Sequence, residues 1–149
     1  MKADRTKSAL RSRRAAGALL LLASLPAPSL WAAQAKPLAA VDGKLAITAA
    51  GAPILKTQDG VKALASVNSY LLHTLQDERL RGREVRLEGT PKPHGVFEVE
   101  RIFVVRDGRL FRIRYYCRVC NIEALEPGPC VCCQQPTELQ EIPVEPAKP

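Results

Sequence analysis

Three observations predict a small, mainly β domain with a single helix and a cysteine-rich end. Short apolar-rich runs recur between Gly-containing turns, one stretch switches to helical spacing, and all five cysteines fall between Cys117 and Cys133. Strands, then one helix, then more strands is the order of a five-stranded OB-like barrel with an added hairpin strand. A small antiparallel sandwich covered by one helix is the alternative arrangement. At 149 residues the chain offers one modest core. Its 46% hydrophobic and 25% charged residues exclude a chain disordered throughout.

The first strands are marked by their turns. Lys44–Thr48 follows Asp42-Gly43, Pro53–Thr57 follows Gly51-Ala52, and Val61–Leu64 follows Asp59-Gly60. Asp-Gly between apolar runs predicts a hairpin, because both residues tolerate positive φ. Over residues 67–80 the period changes: Val67, Leu71 and Leu75 share one helical face. Asn68 or Ser66 is placed to cap its start, and Gly82 stands where a helix stops. Glu84-Val85-Arg86-Leu87-Glu88 then alternates, with Val85 and Leu87 inward. Val96–Val105 forms a longer strand, which Asp107-Gly108 turns back as Arg109–Cys117.

The charge has a different origin from the fold. The chain carries 22 basic and 15 acidic residues, a formal +7. Residues 1–35 hold six of the basic residues (Lys2, Arg5, Lys7, Arg11, Arg13, Arg14) and one acid, Asp4, leaving 16 against 14 in the remainder. An apolar run from Ala15 to Leu25, broken by Pro26 and Pro28, leads to Ala33-Gln34-Ala35. That order predicts a cleavable signal peptide over residues 1–35, whose apolar run is too short to span a bilayer, leading to the periplasm or the outside. Ser12-Arg13-Arg14 opens like a twin-arginine signal, but Ala16 and Gly17 replace the usual hydrophobic pair, which favours the general secretory route. The expected organisation is a leader (1–35), an OB-like domain (36–116), a cysteine knuckle (117–142) and a loose Pro-rich tail (143–149).

The chemistry lies in the cysteines. Cys117, Cys120, Cys130 and Cys133 read as C-x₂-C-x₉-C-x₂-C, a spacing close to zinc-ribbon sites. Two cysteines three apart on a turn aim both sulfurs at one point, and two facing turns complete a tetrahedron. Asn121 suits the left-handed position that follows such a turn, and Pro127-Gly128-Pro129 reverses the chain before the second pair. Zinc is the expected metal, with copper the alternative because Cys132 adds a fifth soft thiol in a C-x-C-C cluster. Two further readings stand beside this one: thiol redox or copper handling through Cys132–Cys133, and disulfides stapling an exported domain. The odd cysteine number and the short loops such bridges would close count against disulfides.

The runs Asp77-Glu78-Arg79-Leu80 through Gly89, Tyr115-Tyr116-Cys117 and Pro127-Gly128-Pro129-Cys130-Val131-Cys132-Cys133-Gln134 resemble a family of small exported bacterial proteins of unassigned function. The resemblance spans roughly residues 40–142 and implies an OB-like domain with a metal-knuckle end. It brings no catalytic residues.

Other signals carry less. Six arginines and Asp107 give residues 101–118 a local charge of +5, with Arg112, Arg114 and Tyr116 on one strand face. That pattern suits nucleic acid, yet the same arginines would serve as a solvated face paired with Glu98, Glu100 or the acidic end segment, and an exported protein rarely meets single-stranded nucleic acid, which disfavours that partner. His73 and His94 have no ligand-spaced neighbours. No Gly-rich phosphate loop and no nucleophile elbow is present, so the expected role is a non-catalytic binding module with a protein or metal partner.

Overall fold

The computed structural model describes residues 37–145. The signal-peptide reading and residues 146–149 of the tail lie outside them. The described chain is mainly β with one helix, as expected. Its order is β1 (Ala39–Ile47), β2 (Pro53–Thr57), β3 (Gly60–Ser66), α1 (Ser69–Leu75), β4 (Glu84–Pro91), β5 (Val96–Arg106), β6 (Arg109–Cys117), β7 (Ile122–Ala124) and β8 (Glu138–Pro143).

The first five strands form a ring. β1 pairs with β2 and β4, β2 with β3, and β4 with β5, all antiparallel. A parallel pairing of β3 with β5, Ala63↔Val96 through Ser66↔Val99, closes it. A five-stranded ring with the helix between the third and fourth strands is the OB arrangement. Inward residues alternate with outward ones, as on β4, where Val85 and Leu87 are fully buried between exposed Glu84 and half-buried Arg86. Leu45, Leu55, Val99 and Val104 join them from the other strands, and Leu75 and Leu80 close the core from the helical segment.

Glycines explain one departure from expectation. Asp42-Gly43 is not a turn but lies inside β1, opposite Arg86 and Val85. A Cβ at Gly43 would sit 2.5 Å from the Lys56 carbonyl oxygen, so glycine is there for close approach of β2. Gly89 does the same at the β4 bulge, where a Cβ would fall 2.0 Å from the Glu98 oxygen. Asp107-Gly108 is the expected hairpin, with both residues at positive φ (52° and 70°).

The helix is shorter than its apolar period suggests. α1 ends at Leu75, and a 3₁₀ turn at Glu78–Leu80 follows it. Asn68 is the cap, accepting from the Leu71 N–H at 2.8 Å. Asp77 caps the 3₁₀ turn, accepting from the Arg79 N–H, so a second capping residue breaks what the period alone reads as one helix. Val67 precedes the helix and is half exposed.

Beyond the ring, β5 continues into a hairpin with β6. β8 runs along one edge of β6 from Phe111 to Tyr116, while the other edge takes β5 first and then β7. Neither β7 nor β8 stands out in the sequence. Pro143 belongs to β8 rather than to a loose tail, and the Val144 N–H bonds the Leu110 carbonyl at 2.9 Å. No helix among the described residues is long and apolar enough to cross a membrane.

Candidate metal centre

Cys117 ends β6 on the face that also buries Phe111 and Tyr115, so strand alternation delivers the first sulfur inward. The chain then turns through Arg118 and exposed Val119 to Cys120, whose N–H donates to Cys117 Sγ at 3.5 Å. Asn121 takes the left-handed conformation expected of it (φ 58°) and accepts a hydrogen bond from the Tyr116 hydroxyl. The second turn repeats the plan: Cys130 is buried, Val131 is exposed, and Gln134 after Cys133 is left-handed (φ 60°). The Cys130 N–H donates to the Gln135 oxygen at 2.8 Å, and the Gln134 N–H to the Cys130 oxygen at 2.9 Å. The role of Gln134 went unread because glutamine rarely adopts that conformation.

Sγ atoms of Cys117, Cys120, Cys130 and Cys133 all lie within 4.8 Å of one another, and those of Cys117 and Cys133 are 3.5 Å apart. Four thiolates about 2.3 Å from a zinc ion would be about 3.8 Å apart at tetrahedral angles. The gathered sulfurs bracket that spacing, so the donor set fits a soft or borderline metal ion. Cys132 stands outside the group of four and is exposed.

Local dipoles divide the thiols. Backbone N–H groups of Cys133 and then Cys132 pull the Cys130 thiol down to about 7, against the effect of burial. The thiols of Cys132 and Cys133 push Cys120 well above the ordinary range. At Cys117 the Cys120 N–H pulls downward, but desolvation and the neighbouring thiols together raise it. Cys130 is thus favoured as a thiolate, while hydrogen bonds from neighbouring thiols and desolvation favour the protonated forms of Cys120 and Cys117.

Four of the arginines of β6 and its flanks are engaged, Arg109 stays exposed, and Glu98 pairs with Lys92 rather than with an arginine. Arg112 pairs with Glu123 at 3.2 Å, Arg118 with Glu138 at 2.7 Å, and Arg106 with Glu141 at 3.2 Å, while Arg114 donates to Gln140. Most of these partners lie in the acidic closing segment, across the sheet. His73 contacts Glu126, tying α1 to the loop before the second turn, and His94 lies on the surface, exposed.

Sequence reasoning gave no role to a buried group beside the centre. The Asp77 carboxylate, 8% exposed, accepts the Tyr115 hydroxyl at 2.9 Å and a fork of Arg79 nitrogens at 2.9–3.1 Å. Desolvation alone would raise its pKa, but the Arg79 and Tyr115 hydrogen bonds prevail and hold it below the ordinary carboxylate range. Burial, then the bond to Asp77, pushes the Tyr115 phenol well above its usual value.

Fold and site together define a class: an OB-type barrel carrying a four-cysteine centre at the end of an added hairpin. Family models, curated proteins and solved structures contain no match to the chain.

Proposed function

We propose that this chain is an exported, non-catalytic binding module whose Cys117, Cys120, Cys130 and Cys133 hold one zinc ion, with a protein or the metal itself as partner. The observation that carries the reading is the convergence of four sulfurs within 4.8 Å on two turns of the same design. Zinc suits a closed set of four thiolates, where it acts structurally. Export to the periplasm or beyond is supported by the basic, apolar and Ala-Gln-Ala order of residues 1–35. Nucleic acid is disfavoured as a partner because an exported protein rarely meets it and because Arg106, Arg112 and Arg118 are already paired with acids.

The test is metal content and thiol counting on full-length protein recovered from its own compartment. One zinc per chain, with only Cys132 open to alkylation, is expected. Two disulfides and no metal would overturn the reading. A second reading, copper or thiol-redox handling, is favoured by one observation: Cys132 is exposed and stands beside Cys133 in the chain as a fifth thiol. Cu(I) bound in preference to zinc, and lost in Cys132→Ser, would select it.

A further inference from the structure

We infer that the buried Asp77 carboxylate and its surface-reaching partner Arg79 form a positioning device that sets the two halves of the four-thiol centre at their working separation before a metal arrives. The inference rests on the metal-site reading above and deepens it.

The two halves belong to different pieces of chain. Cys117 and Cys120 leave the end of β6, whereas Cys130 and Cys133 sit in the loop between β7 and β8. That loop closes on itself through a bridge between Pro129 and Pro136. The strands that flank it, β7 and β8, both pair with β6, and His73 tethers its start to α1 through Glu126.

Asp77 and Arg79 add a registration that reaches both cysteine pairs. Tyr115, which donates to Asp77, lies two residues before Cys117 on the same buried face of β6. Arg79 spends Nε and Nη2 on Asp77, and its Nη1 donates to the Thr137 carbonyl at 3.0 Å. Thr137 is itself buried, and its N–H and Oγ1 both donate to the Gly128 oxygen, at 3.0 and 2.8 Å. Gly128 lies two residues before Cys130. One carboxylate therefore grips the first half through Tyr115 and the second through Arg79, and the Arg79 guanidinium also lies over the Tyr115 ring, 5.3 Å from its centroid.

The chemistry demands an arginine. Only a planar fork with several N–H donors bonds a carboxylate through two nitrogens and a carbonyl through a third. With the Arg79 side chain 42% exposed, the ion pair is partly screened by solvent and its charge adds little net stability, so what it offers is the direction of its bonds. A group of this kind, linking the approaches to both cysteine pairs, fits the role of an outer support that orients metal ligands.

The experiment compares the full chain with Arg79→Lys and Tyr115→Phe. Arg79→Lys keeps the charge facing Asp77 but cannot make all three contacts. Tyr115→Phe keeps the ring and guards against a folding failure in the other variant. Two quantities are read: zinc affinity by chelator competition, and amide hydrogen exchange in the reduced, metal-free protein. Each variant is expected to bind zinc about 10- to 100-fold more weakly. In Arg79→Lys, exchange at the Thr137 and Cys130 amides should accelerate at least about tenfold, while Leu87 and Val104 in the barrel stay protected. Unchanged affinity and exchange in both variants would overturn the positioning role and leave the metal reading standing. Wild-type protein that takes up no zinc, but whose loop amides respond to Arg79→Lys, would overturn the metal reading and leave the positioning role.

Discussion

The barrel and the cysteine-rich end are neighbours on one sheet but are held by different physics. The barrel is closed by a ring of ladders around fully buried Leu45, Leu55, Leu87, Val99 and Val104. Between residues 117 and 137, by contrast, the buried side chains are Cys117, Cys130 and Thr137, and the apolar ones, Val119, Leu125 and Val131, point to solvent. The first region buries hydrocarbon and needs nothing else. The second keeps its shape through turn hydrogen bonds, left-handed residues and four facing sulfurs, and it has an attractive centre only when a cation joins them.

The contrast is broken most severely at the metal centre. A zinc ion held by thiolates contributes on the order of 10 kcal/mol to a small site. Cys130→Ser should abolish stoichiometric zinc uptake, measured by metal analysis, with the barrel's far-ultraviolet dichroism retained. Collapse of the barrel in the same variant would show that the two regions are one cooperative unit.

On the barrel side, Leu87→Ala removes a fully buried side chain and should cost about 2–5 kcal/mol in urea unfolding. If the regions are as distinct as their packing, folded Leu87→Ala protein still binds zinc with wild-type affinity.

A smaller effect follows from acid. The Asp77 carboxyl lies below its ordinary value of 3.8 in the folded chain, so folding favours the charged form. That share of stability is complete above about pH 4 and is lost as pH falls below it. Acid unfolding should therefore be shallower in Asp77→Asn than in wild type over that window. Parallel curves would remove the carboxylate from the linkage between the regions.

The smallest effect belongs to the surface pair Arg112–Glu123, whose side chains are about half exposed. Arg112→Ala should shift thermal stability by less than about 1 kcal/mol. A larger loss would mean that this pair, rather than packing, holds β7 against β6.

Local signals were readable and distant ones were not. The Asp107-Gly108 turn, the alternation of β4 and the spacing of the cysteines each depend on residues a few positions apart, and each appears in the structure where the sequence places it. Asp42-Gly43 misleads because the same dipeptide serves a turn or a close approach, and the deciding atom, the Lys56 oxygen, lies on another strand. β8 escapes because Glu-Leu-Gln-Glu-Ile-Pro shows no clean alternation; half-buried positions run together where the strand packs beside the ring. The Asp77–Tyr115 bond joins residues 38 apart and leaves no period to find.

The parallel β3–β5 pairing has a kinetic consequence. Ala63 cannot meet Val96 until α1, β4 and the intervening loops have been threaded, so ring closure is a late, long-range event. Until then β3 offers a bare edge to any other chain. Export in an unfolded state would postpone that closure to the far side of the membrane, where shielding the edge would fall to a chaperone or to rapid collapse around β4.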